Sequence, residues 1–211
     1  FGNLLVQATF LPVTLTIPSV ANYFGTDVDD AAWSVIIRLL VMGSTVFLAA
    51  RLGERHGHAR MFFLGTVVMS LGNLLAATSQ NLSQLILWSG TGGLGGSLIT
   101  ANANTMLVMV FKPSERGRAF SIPVTASRIG TFIGVGVFGA FLHFLDWRWV
   151  FGTSFLIGMI TIRFAWPMLK YQYQQAEEER HFTPVNYLGA ALLVATLVAF
   201  TLSGSHLHEG S

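Results

Sequence analysis

The sequence predicts an all-α integral membrane protein with about seven transmembrane helices, and three observations predict it. Residues 1–26, 61–111, 129–145 and 181–208 contain no Asp, Glu, Lys or Arg. Hydrophobic residues make up 52% of the 211 and charged residues only 10%, a balance that places the chain among membrane proteins. The apolar runs are continuous, without the period-two alternation of a transmembrane barrel. Crossing the roughly 30 Å hydrocarbon core takes about 20 apolar residues in a helix. Since only helices and closed barrels satisfy the backbone in lipid, the runs are helices.

In chain order the spans fall at about 3–24, 32–50, 61–78, 83–111, 118–144, 148–168 and 185–203. The first is closed by Asp27, Asp29 and Asp30, and the second opens at Trp33 and runs into the charged stretch ARLGERHGHAR, which reads as a loop. An uncharged SQNLS follows the third span. The fourth and fifth are long enough to tilt or to protrude into water. The sixth begins at DWRWVF, and QQAEEER after it reads as a soluble linker, helical by composition. The predicted organisation is a six-helix transmembrane bundle over 1–168, a cytoplasmic linker over 169–184, a seventh transmembrane helix over 185–203 and a polar tail over 204–211. The chain opens at Phe1 inside an apolar run with no charged n-region, so this run is not a signal peptide, and the whole reads as part of a longer protein.

Orientation follows from the connections. Those after the second, fourth and sixth spans hold eight Lys and Arg (Arg51, Arg55, Arg60, Lys112, Arg116, Arg118, Lys170 and Arg180), whereas the alternate connections hold only Arg148. Positive residues stay inside, which puts the start of the chain on the cytoplasmic side of the inner (plasma) membrane. Three further arginines fall within spans. Arg163 lies near a cytoplasmic end and can snorkel. Arg38 and Arg128 are costly in lipid and are expected to face the bundle interior, towards a cavity or a partner.

Small residues predict where helices meet closely. Gly92 and Gly96 in the fourth span and Gly130 and Gly134 in the fifth have GxxxG spacing, which suits tight helix packing. GTGGLG matches a dinucleotide-binding pattern only superficially, because it lies within a span and not between a strand and a helix. Asn102, Asn104 and Thr105 are polar groups at membrane depth that either line a cavity or bond between helices. His143 reads as an interfacial histidine, and the pairs His56/His58 and His206/His208 read as solvated segments without convergent carboxylates. With no cysteine and no such cluster, no metal or other cofactor is expected. No nucleophile, base and oxyanion set can be assembled, so the chain is not read as an enzyme, and no basic aromatic patch suggests nucleic acid.

Four stretches in order resemble the N-terminal half of a major facilitator superfamily transporter, and more narrowly the EmrB/QacA-type drug:proton antiporters. ARLGERHGHAR is similar to the family's loop pattern G-x-L-A-D-R-x-G-R-R/K, keeping Leu52, Arg55 and Gly57, with Glu54 for Asp. IPSVANYFG resembles ALPTIANDLG at the end of helix one, DWRWVF resembles SWRWIF, and TPVNYLGAALLVATLVAFTLS resembles the start of the extra seventh helix of that branch. The resemblance implies a six-helix half of a transporter that exports small amphipathic molecules, coupled to protons. It also implies that the loop latches one access state through Glu54, Arg55, Gly57 and Arg60.

The departures are equally specific. The acidic residue expected in helix one falls at Thr9, the arginine of the helix-four pattern RxxQG falls at Ser89 with Gly92 in place of the glutamine, and the helix-five pattern G-P-x-x-G-G becomes GVGVFG at 134–139. Two readings follow. Either Arg38 and Arg128 set the cavity electrostatics, giving a small amphipathic or anionic substrate, or the bundle is a transport-inactive structural subunit bound to other membrane-protein subunits. Membrane lipids are partners in both.

Overall fold

The computed structural model describes residues 13–144 and 146–175, which form six helices: α1 (Ile17–Phe24), α2 (Val28–His56), α3 (His58–Ala77), α4 (Leu82–Val110), α5 (Arg116–Phe144) and α6 (Arg148–Gln175). Thr9 and the segment read as the seventh span lie outside the described residues, as do the side chain of His143 and the surroundings of Gly130 and Gly134 on α5. By length and composition α2, α3 and Arg148–Pro167 of α6 are each sufficient to cross a membrane. α4 matches α2 at 29 residues and carries no charge. α6 continues to Gln175, through the first part of the stretch read as linker.

Local chemistry sets the helix ends. Gly25 closes α1 in the left-handed region (φ 65°), its N–H returning to the Ala21 carbonyl. Extended Asp27 precedes α2, and Asp29 and Asp30 place negative charge in its first turn while Arg55 places positive charge in its last, both favourable to the helix dipole. Asn81 caps α4 by accepting the Gln84 N–H at 2.8 Å.

The junction of α2 and α3 corrects the expected loop over 51–60. α2 runs to His56 and α3 begins at His58, leaving Gly57 as the whole connection, at φ 95° and ψ 128°. Twenty-nine residues make a helix of about 43 Å, longer than the hydrocarbon core, so the charged turns of ARLGERHGHAR project beyond lipid while staying helical. A side chain at 57 is strained in that backbone conformation, which accounts for glycine there.

α4 is the centre of the bundle, packed between α2 and α3, and α3 packs on its far side against α6. Among the described residues α5 touches the other helices far more lightly. Glycines set the close approaches: a Cβ at Gly95 would meet the backbone of Met69 and Gly65 on α3, and one at Gly93 would meet the backbone carbonyl of Arg38 on α2. Gly92 abuts the Arg38 guanidinium, while Gly96 makes ordinary contact with Met42 Sδ at 3.4 Å. The closest approaches of α4 to neighbouring backbone are therefore at Gly93 and Gly95, between the two positions that GxxxG spacing singles out.

At the acidic end of the bundle, Val20, Val35, Ala76, Leu85 and Phe151 surround Trp147, which is 2% exposed. Its neighbour Arg148 donates to the Ser79 carbonyl at 2.9 Å and the Tyr23 hydroxyl at 3.1 Å, with its guanidinium carbon 4.7 Å from the Tyr23 ring centroid. The DWRWVF stretch thus ties α6 to α1 and to the α3–α4 turn. Hydroxyls at membrane depth mostly bond their own helix, as Thr66 does to the Phe62 carbonyl and Ser70 to that of Thr66.

Candidate functional site

Three polar centres stand out of the apolar bundle. At the basic end, His58 is buried, which corrects its reading as part of a solvated segment. Its Nδ1 lies 2.8 Å from Asn102 Oδ1 on α4. Asn102 Nδ2 donates to the carbonyls of Leu98 at 2.8 Å and Ala49 at 3.2 Å, so Oδ1 is left to accept and His58 Nδ1 is the donor. One amide thereby joins the ends of α2, α3 and α4. Gly53 makes this possible, because a Cβ there would occupy the place of Asn102 Oδ1. In the resembled pattern the corresponding positions are Ala and Arg; here Gly53 and His58 depart together, and Asn102 fills the space. Asn102 thus bonds between helices, and Thr105 bonds the Ala101 carbonyl of its own helix at 3.0 Å.

Asn102→Ala is expected to cost about 2 kcal/mol, the scale of a buried donor left without its acceptor. Gly53→Ala, which displaces the same oxygen, should cost a similar amount. The double variant is predicted to lose clearly less than the sum, because both remove one interaction. Thermal unfolding of the four proteins checks this, and strict additivity would contradict it.

The residues of the expected latch surround this centre. Glu54 accepts from Arg51 at 3.0 Å within α2, and both side chains are about half exposed, so the pair contributes little to stability. Arg55 is exposed on the last turn of α2, Gly57 is the break itself, and Arg60 is half-buried on the first turn of α3.

The second centre is Arg38, which is 3% exposed and enclosed by α2, α3 and α4. Its Nη2 donates to Asn73 Oδ1 on α3 at 2.5 Å. The guanidinium lies against Gly92, where a Cβ would come within 2.6 Å of Nη2 and 3.2 Å of Nε. Ser89 and Gly92, the two positions where the RxxQG pattern has its large polar residues, are here small, and α2 supplies the arginine from across the interface. Sequence reasoning does not single out Asn73. The available signal is an asparagine in a charge-free span that needs a partner at membrane depth.

Arg128 is the third centre, and here the expectation of an interior position is corrected: it is exposed on this bundle. It lies near the middle of α5, and the residues one turn before and after it, Val124 and Phe132, are 55% and 85% exposed. Among the described residues nothing covers this face of α5. A charge at that depth on lipid would cost about 2.5–3.5 kcal/mol. Arg38 and Arg128 are therefore different in kind, one locked among three helices and one presented outward.

Residues 1–207 match the family model of the Major Facilitator Superfamily. Among curated proteins the chain is similar to the puromycin resistance protein pur8 of Streptomyces alboniger, 25% identical over 94% of this chain and 40% of that protein. It is also similar to the cephamycin export protein CmcT of Amycolatopsis lactamdurans, 28% identical over 93% of this chain and 40% of that protein. With the riboflavin transporter RibZ of Clostridioides difficile the identity is 28% over 69% of this chain and 32% of that protein. The chain thus spans well under half the length of these relatives. A crystal structure of the peptide transporter POT in complex with sulfate superposes with a TM-score of 0.66 at 18% identity, covering 100% of this chain and 46% of that one, a likeness of fold. A match over nearly the whole sequence, on an all-helical bundle of this arrangement, assigns the family: the chain belongs to the major facilitator superfamily.

Proposed function

We propose that the chain is the N-terminal half, with one linking helix, of a secondary active transporter that exports small amphipathic molecules from the cytoplasm in exchange for protons. The observation that carries this reading is the outward face of α5, where Arg128 sits near mid-helix and exposed. Such a charge calls for water or protein opposite it, as a cavity between two halves provides. The relatives named for puromycin resistance and cephamycin export support the direction of transport and the class of cargo. In this reading the end bearing Arg51, Arg55 and Arg60 is cytoplasmic in the inner membrane, and Glu54, Arg55, Gly57 and Arg60 latch one of two access states.

The full reading frame, expressed and tested in everted membrane vesicles, should move a fluorescent amphipathic substrate when a proton gradient is imposed and stop when the gradient is collapsed. Transport that ignores the gradient would remove the coupling, and no transport of any amphipathic probe would remove the exporter. A second reading has one observation in its favour: among the described residues every Asp and Glu lies in a connection or at a helix end, so none is a carboxylate at membrane depth. A transport-inactive structural subunit meets that condition. It predicts vesicles without transport and a protein that purifies with other membrane proteins covering α5.

A further inference from the structure

The polar cluster around Arg38 contains donors in excess of acceptors. Arg38 Nη2 is satisfied by Asn73 Oδ1. Arg38 Nη1, Asn73 Nδ2 and Ser89 Oγ are all buried and have no hydrogen-bond partner among the described residues, and the three residues are 3%, 1% and 1% exposed. They come from α2, α3 and α4 respectively, on residues that neighbour the guanidinium of Arg38. Asn73 bonds the guanidinium directly, and Ser89 lies one turn before Gly92, on the α4 face against which that guanidinium rests. The Ser89 hydroxyl, like those of Thr26 and Thr100, lacks the bond to a backbone carbonyl that Thr66, Ser70 and Ser154 each make within their own helix.

Charge sharpens the imbalance. A guanidinium keeps its proton and its five donors at any physiological pH. The acidic residues of the whole sequence are Asp27, Asp29, Asp30, Glu54, Glu115 and Asp146, with Glu177, Glu178, Glu179 and Glu209 beyond the described helices. On α2 the nearest is Asp30, exposed and about 12 Å along the helix axis from Arg38. No carboxylate among the described residues therefore neutralises the arginine, and a carboxylate from a second half is kept away by the three helices that enclose it. Water can fill hydrogen bonds, but it leaves the charge uncompensated where the dielectric is low.

We propose that Arg38, Asn73 and Ser89 bind a small inorganic anion of halide size, which neutralises the guanidinium and holds α2, α3 and α4 together. Donors from three side chains around one cation suit a spherical acceptor, and the enclosure excludes the anionic group of a lipid or of a transported molecule. The anion belongs to this half of the protein and is independent of what is transported.

The test uses the full-length protein in detergent, with gluconate replaced by chloride or bromide at constant ionic strength and constant pH. The melting temperature should rise saturably, by about 2 °C at roughly tenfold the dissociation constant. Ser89→Ala, a small change that leaves the fold intact, should raise the half-effect concentration by about tenfold, the scale of one hydrogen bond to a charged group. Arg38→Gln should abolish the halide dependence whatever its effect on the baseline. A wild-type melting temperature that is the same in chloride, bromide and gluconate would overturn the proposal and leave water as the occupant. A halide effect of undiminished size and midpoint in both variants would also overturn it, by placing the anion elsewhere on the protein.

Discussion

Gly93→Ala is expected to destabilise the protein by about 3 kcal/mol or more, with Gly95→Ala close behind, effects at or above the upper end for overpacking a well-filled core. The cause is what each new methyl would meet. At Gly93 it meets the backbone carbonyl of Arg38 on α2, and at Gly95 the backbone of Met69 and Gly65 on α3, so in neither case can a side chain turn aside. α4 would have to move away from one of its two neighbours, and in lipid the association of helices depends on such close approach. Two controls calibrate the effect. Gly96→Ala meets only the flexible Met42 side chain, and Gly43→Ala meets nothing within 4 Å. The latter should be neutral or stabilising by about 0.5–1 kcal/mol through helix propensity. Thermal unfolding followed by tryptophan fluorescence checks the order. Gly93→Ala behaving like Gly43→Ala would show that α2 and α4 do not meet as described.

Arg128→Gln is expected to lower transport of an anionic amphipathic substrate by about 10- to 100-fold, the equivalent of about 1.5–3 kcal/mol from one charged hydrogen bond. The melting temperature should stay close to that of the wild type, because the side chain is exposed and α5 packs lightly. Arg128→Lys keeps the charge and should retain most of the activity on the anionic substrate, while a cationic substrate of similar size should be carried better by Arg128→Gln than by the wild type. Opposite responses to the two substrate charges separate an electrostatic role from a packing role. Equal loss for both would mean that the substitution disturbs α5 itself.

These residues also show what can be read from sequence alone. The helices are legible because long charge-free stretches leave the chain no other way to satisfy its backbone in lipid. The α2–α3 junction misleads because four charges and two histidines in eleven residues look like a loop. In the folded chain the same charges favour the end of a helix that outlasts the bilayer, and only Gly57 breaks it. His58 reads as solvated because its partner Asn102 lies 44 residues away in sequence, and nothing in the local pattern encodes that meeting. Arg38 is buried among three helices, yet Asn73 and the small residues Ser89 and Gly92 become its setting only once the register of α2, α3 and α4 is known. The same reasoning, applied to Arg128, assumes that an intramembrane arginine must turn inward. α5 presents it outward instead.

The central claim, that the Arg128 face of α5 lines a water-filled path and not lipid, is open to direct measurement by thiol accessibility. This chain contains no cysteine, so single cysteines introduced at Val124 and Phe132, one turn either side of Arg128, give a signal free of background from this half. Full-length protein in membranes should label at both positions with a charged, membrane-impermeant thiol reagent, and bound substrate should slow that labelling. Labelling only by a lipid-soluble reagent, unaffected by substrate, would place this face against lipid and contradict the account.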